Sequence, residues 1–251
     1  MEQRIDRGHG ISGQVWLPYL PSTHPHLRPP HAELLRASAV SDRPFTDIDL
    51  LVEAADHEGV PSALDRAGFR RMRKVFFDRS EASEEQKWVL PEISAVLVEL
   101  HSNLVHYPAL RRKVSFDYQQ LAACGHGDPE APIGLFFTAA VHAALGHKFH
   151  QLRMLVDVLQ AWRQLGQEEK RSLSKVARAL GTEMETAFCL KLISDLLEAP
   201  DARDAAASLA ATPAARAALM LVDAPTLLAA PHSRVSWIRR HAFRLVQHMP
   251  R

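Results

Sequence analysis

The first stretch with the rhythm of a strand is Phe45-Thr-Asp47-Ile-Asp49-Leu-Leu-Val52, a compact apolar run interrupted by two acids. Side chains alternate across a strand, so Asp47 and Asp49 share one face while Ile48, Leu50 and Val52 take the other. The apolar face can be buried while the two acids look out together. Val96-Leu97-Val98-Glu99-Leu100-His101 repeats the pattern, with Glu99 and His101 opposite Val98 and Leu100. Between these runs the spacing predicts a helix over 61–67 closed by Gly68, a strand over 69–77, and a charged connector over 78–87 leading to a strand over 95–101. Before them, Pro18, Pro21, Pro25, Pro29, Pro30 and Pro44 punctuate residues 1–44, predicting an irregular segment in which only 31–40 can make a helix.

Beyond Pro132 the apolar positions take up helical spacing to the end of the chain. Helical stretches are predicted at 134–165, 168–180 and 182–198, followed by an alanine-rich run at 202–220 and an amphipathic piece at 233–248. The pattern therefore predicts an α+β protein. A proline-rich segment at 1–44 precedes a small mixed-sheet α/β unit at 45–130, and an all-helical unit follows at 131–251.

Composition narrows the function classes. A chain of 251 residues with 47% hydrophobic content can bury a real core. Its 30 Lys and Arg balance 29 Asp and Glu, so charge gives no reason to expect bulk nucleic acid as a partner and leaves a small molecule or a protein. Cys124 and Cys189 are too few for a disulfide framework and match no paired metal spacing, which fits a reducing cytoplasm. No apolar run reaches the roughly 18 residues of a membrane span, and no signal-peptide core is visible, so a soluble, unexported protein is expected.

The acids carry the chemistry. Two carboxylates held on one face of a strand repel each other unless a cation lies between them, and Mg²⁺ with its preference for oxygen ligands is the natural one. Glu99 on a second strand is a candidate third acid, the arrangement used in two-metal phosphoryl transfer. The bland alternative is a solvated Asp-x-Asp at the entry to a turn.

Arg43-Pro-Phe-Thr-Asp47-Ile-Asp49-Leu-Leu-Val52, Ala67-Gly68-Phe69 and Val98-Glu99-Leu100-His101 together resemble the bacterial nucleotidyltransferase-like family of the polymerase-beta superfamily. A later segment, His142-Ala-Ala-Leu-Gly-His147-Lys-Phe-His150-Gln-Leu-Arg153-Met-Leu-Val-Asp157, is similar to that family's helical half. The resemblance implies that Asp47, Asp49 and Glu99 are metal-binding and catalytic, that the ion is Mg²⁺ or Mn²⁺, and that Arg43 lies near the nucleotide phosphates. It also implies transfer of a nucleoside monophosphate from a nucleoside triphosphate to a hydroxyl on a small-molecule or protein acceptor. The alternative is a catalytically silent relative that binds a nucleotide or a protein partner. The Gly-Ser turn that the superfamily places just before its acidic strand has as its counterpart only Gly10-Ile-Ser12-Gly13, well upstream.

On one continuous helix, His142, His150, Arg153 and Asp157 fall within an arc of about 80°, opposite Val141, Leu145, Leu152, Val156 and Leu159. A functional reading gives this polar stripe the phosphates, with Arg153 reaching them and Asp157 orienting Arg153 or His150. The alternative is a polar packing network. His142 and His147 miss the i, i+4 spacing of a helical zinc site. Arg70, Arg71, Arg73 and Lys74 suit either an acidic acceptor or a charged sheet edge. No P-loop, Rossmann or Gly-x-Ser-x-Gly signature is present.

Overall fold

The computed structural model describes residues 13–18, 45–53, 59–72, 85–91, 93–105, 108–111, 114, 116–128, 131–146, 149, 152–210, 213–220, 223, 233–234, 237–239 and 241–243. They fall into two compact units divided between Ser102 and Asn103.

The first unit is a mixed sheet with one described helix. Strands β1 (Gly13–Pro18), β2 (Phe45–Leu51), β3 (Arg70–Arg71), β4 (Gln86–Leu90) and β5 (Ile93–His101) lie in the order β1-β2-β5-β4-β3. β1 and β5 flank β2 in parallel, whereas β4 runs antiparallel to β5 and β3 antiparallel to β4. Val52 N donates to His101 O at 3.0 Å, carrying the β2/β5 pairing one step past the end of β2.

Helix α1 (Gly59–Arg66) covers the apolar face of the sheet. Val60 and Leu64 from the helix pack with Ile48, Val52, Phe69, Trp88, Val98 and Leu100, all buried. These positions are those the alternation assigns to the core face of β2 and β5, and burial of each such side chain contributes about 1.5–3 kcal/mol. Gly68 terminates α1 as expected. Its φ of 91° is left-handed backbone that a side chain would strain.

Two predicted features of this unit differ from the structure. Gly13–Pro18 is an edge strand, where the proline spacing predicts no regular structure; its backbone pairs with β2 between Pro18 and the upstream residues. Gln86–Leu90 is a strand that begins within the connector predicted over 78–87, its charged Lys87 tolerated because only Trp88 of that strand is buried. Of the strand predicted over 69–77, Arg70–Arg71 is present, both residues exposed at the edge of the sheet as a charged edge requires, and 73–77 lies outside the described residues. The helix predicted at 31–40 also lies outside them.

The second unit is helical among its described residues: α2 (Pro108–Arg111), α3 (Tyr118–Cys124), α4 (Pro132–Val141), a π turn (His142–Gly146), α5 (Leu152–Gln164), α6 (Gln167–Leu180), α7 (Glu183–Leu196), α8 (Pro200–Leu209) and α9 (Pro213–Leu219). No helix among the described residues is long and apolar enough to cross a membrane. The α+β class holds.

α7 is the centre of this unit. Ala187, Phe188, Cys189, Leu190, Leu192 and Ile193 are all buried on it, so its apolar surface is far wider than a stripe and leaves only the side of Lys191 and Asp195 open. Around it, Trp162 Nε1 of α5 donates to Asp201 Oδ2 of α8 at 3.0 Å, and Lys170 of α6 donates to the same oxygen at 2.9 Å. Three helices are thereby tied at one carboxylate. α3 begins in a capping box, with Gln120 N donating to Asp117 Oδ1 and Asp117 N donating to Gln120 Oε1. Both cysteines are buried free thiols, and burial pushes Cys124 up to about 11 and Cys189 higher still.

The long helix predicted over 134–165 is broken. After α4 the chain passes through the π turn, and Phe149 then takes a left-handed φ of 57° with its N–H donating to Ala143 O at 2.8 Å. That six-residue closure is a helix-ending bond, so α5 starts anew at Leu152.

Candidate metal centre

The parallel register of β2 and β5 sets the site. Asp49 is the cross-strand partner of Glu99, and Leu51 that of His101, so Asp49, Glu99 and His101 stand together on the face away from the apolar core. His101 Nε2 lies 2.9 Å from Asp49 Oδ1 and 3.7 Å from Glu99 Oε2. One ligand atom from each of the three lies within 4.8 Å of the others.

These groups do not look out to solvent. Asp49 and His101 are 1% exposed and Glu99 8%, so the face predicted to carry open acids is buried on both β2 and β5. Desolvation of a carboxylate is costly unless it is paired, and the neighbouring strand supplies a cation. Lys87 is the register partner of Glu99 on β4, and its Nζ donates to Glu99 Oε1 at 2.9 Å while lying 2.9 Å from Glu85 Oε1. Burial opposes the charge on Lys87, but the hydrogen bonds to Glu99 and Glu85 outweigh it and raise the ammonium pKa. Glu99 is pushed up to about 7 by burial first, then by the charges of Glu85 and Asp49, with Lys87 pulling the other way.

A pH effect follows with a definite sign. The folded protein holds the Glu99 proton more tightly than the unfolded chain does. The stability this group contributes is therefore fully present below about pH 4.5 and is lost as pH rises through about 7. In chelator, wild type should lose on the order of 2 kcal/mol relative to Glu99→Gln between pH 4.5 and 7.5, measured by urea unfolding. A constant gap between the two proteins across that range would show that Glu99 titrates like an exposed glutamate.

A family model described as an uncharacterised nucleotidyltransferase matches residues 38–198, well over half of the chain. The chain belongs to this nucleotidyltransferase family. No curated protein and no solved structure matches it. The matched span contains β2, β5 and the whole Asp49, Glu99 and His101 group.

The donors of this group fit a divalent cation. Ligands at about 2.0–2.1 Å around a six-coordinate ion lie about 3 Å apart when adjacent and about 4 Å apart when opposite. The 2.9 Å between His101 Nε2 and Asp49 Oδ1, a hydrogen bond here, is also the separation of adjacent ligands, and Glu99 Oε2 lies 3.7 Å from the same nitrogen. Lys87 occupies Oε1 of Glu99 and leaves Oε2 toward His101.

Of the residues singled out by sequence, the structure brings Asp49 and Glu99 together. Asp47 sits two positions before Asp49 on β2, its backbone opposite Leu97; its side chain lies outside the described residues. Arg43, His150, Gly10 and Ser12 lie outside them too. His142 is buried in the π turn, and Arg153 and Asp157 are half-buried one turn apart on α5. The 80° arc drawn through His142, His150, Arg153 and Asp157 requires one continuous helix. The π turn and the left-handed Phe149 remove that register, so the four do not form a single helix face. His101 and Lys87 are the additions. Alternation already placed His101 beside Glu99, whereas nothing in the local sequence pairs Lys87 with it.

Proposed function

We propose that this chain moves a nucleoside monophosphate from a nucleoside triphosphate to a hydroxyl of a small-molecule or protein acceptor. The observation that carries the reading is the register pairing of Asp49 with Glu99, buried beside His101, in a chain of a nucleotidyltransferase family. Asp49 and Glu99, with Asp47 on the same strand, would hold the divalent cation, Mg²⁺ or Mn²⁺. Bound there, the cation neutralises triphosphate charge and favours displacement at the α-phosphorus.

The acceptor oxygen forms the new bond to the α-phosphorus as the bond to the β-phosphate oxygen breaks, and pyrophosphate leaves. Glu99, on the strand beside Asp49, would assist removal of the acceptor's proton. Lys87 holds the Glu99 carboxylate in one orientation through Oε1. Arg43, two residues before the start of β2, supplies positive charge for the phosphates. The expected lineage is bacterial and polymerase-beta-like, and the buried free thiols of Cys124 and Cys189 favour a reducing cytoplasm.

Ser41-Asp-Arg-Pro44, immediately before β2, offers no Gly-Ser turn for a triphosphate, and this favours a second reading as a silent relative that binds a nucleotide or partner. Incubation with each nucleoside triphosphate, a divalent cation and an acceptor library, with mass detection, separates the two. An acceptor heavier by one nucleoside monophosphate supports transfer. Heat of nucleotide binding without any adduct supports the silent relative, and neither signal removes both readings.

A further inference from the structure

Resting on the reading of Asp49 and Glu99 as metal ligands, we infer that His101 completes the centre and makes it selective for Mn²⁺-type first-row cations over Mg²⁺. His101 is 1% exposed and stands on β5 in register with Leu51 of β2, beside both acids. Its Nε2 is hydrogen-bonded to Asp49 Oδ1 at 2.9 Å and lies 3.7 Å from Glu99 Oε2, so one cation placed among the three side chains is within reach of a donor atom from each.

The chemistry of the donors decides the cation. Mg²⁺ takes oxygen almost exclusively and sheds water reluctantly, so a centre of two carboxylates alone would suit it. Imidazole nitrogen is a softer donor that first-row divalent metals accept more readily than Mg²⁺, with affinities increasing from Mn²⁺ to Cu²⁺ and falling at Zn²⁺. A cation here would take the Nε2 lone pair in place of the hydrogen bond to Asp49 Oδ1, with the imidazole proton carried on Nδ1. Lys87 sharpens the set further: by taking Oε1 it leaves Glu99 one oxygen for the ion, so the carboxylate binds through a single atom and the nitrogen becomes a larger share of the shell.

The test is run on the full chain, freed of metal with chelator and without nucleotide. Titrations with Mn²⁺ and with Mg²⁺ are followed by calorimetry, and bound Mn²⁺ by electron spin-echo spectroscopy. Mn²⁺ should bind at least about tenfold more tightly than Mg²⁺, with one imidazole nitrogen coupled to it. His101→Gln, with its circular dichroism unchanged, should abolish the coupling and bring the two affinities within about threefold. Equal affinities in the wild type, no Mn²⁺ binding, or bound Mn²⁺ without nitrogen coupling would each overturn the assignment, and none of these needs a folded variant. Mn²⁺ held through His101 with no adduct from any nucleoside triphosphate keeps the centre and removes the transfer reading. Adduct formation with no nitrogen coupling does the reverse.

Discussion

Asp49→Asn should lower the rate of nucleotidyl transfer by at least about 10²–10³-fold, the loss expected when a group that stabilises developing charge is neutralised in a buried site. The substitution is chosen for what it retains. Asn keeps a carbonyl oxygen where Asp49 Oδ1 meets His101 Nε2 at 2.9 Å, and it fits the same space on β2. Removing the charge also removes one of the causes that raise Glu99, so the Glu99 pKa should fall from about 7 in the variant. Three readouts therefore move together: single-turnover adduct formation drops, divalent-metal affinity weakens, and the low-pH gain in stability shrinks, while circular dichroism stays that of wild type. Transfer within about threefold of wild type would mean that Asp49 holds no catalytic ion, and the function would have to be sought elsewhere on the chain.

The second large effect is on stability and lies in the helical unit. Phe188→Ala should cost about 3–5 kcal/mol, measured by urea unfolding. Phe149, Phe188 and Phe243 are each 0% exposed, and their rings meet at centroid distances of 4.5 Å for 188 with 243, 5.3 Å for 149 with 243 and 6.0 Å for 149 with 188. Removing the Phe188 ring leaves a cavity on the buried side of α7 and forfeits two aromatic contacts worth about 0.5–1.5 kcal/mol each. It also loosens Phe149, whose left-handed backbone is tolerated because its ring is gripped. Exchange of the Phe149 amide, bonded to Ala143 O, should accelerate in the variant before global unfolding. Phe188→Leu fills most of that cavity and gives up chiefly the two ring contacts, so it should cost about 1–3 kcal/mol, less than Phe188→Ala. Equal losses for Ala and Leu would show that the aromatic contacts, and not the cavity, carry the energy.

Period-two alternation was enough to separate Ile48, Val98 and Leu100 from Asp49, Glu99 and His101, because a strand has only two faces and the apolar one must be covered. Gly68 announced the end of α1 for an equally local reason, its positive φ. The Asp117-x-x-Gln120 capping box that opens α3 is equally local, although no helix is predicted over Tyr118–Cys124. Alternation gives no sign of which strand lies beside which. That β5 rather than β4 adjoins β2, and that Asp49 faces Glu99 instead of Leu97, are matters of long-range register.

The same division explains the helix that failed. Apolar spacing continues through 134–165 without a proline, so nothing local warns of a break. The π turn at His142–Gly146 and the reversal at Phe149 exist because Phe149 packs against Phe188 and Phe243, which are distant in sequence. Tertiary packing outweighs the local preference for one continuous helix.

By itself, then, the sequence determined the α+β class, the acid-bearing faces of two strands and their likeness to a nucleotidyltransferase family, since each depends on spacing within a few residues. Only the tertiary structure decided that the acids are buried, that His101 and Lys87 join them, and that Glu99 holds its proton to about pH 7. Desolvation and cross-strand charge are properties of neighbours brought together by the sheet, and no residue carries them alone.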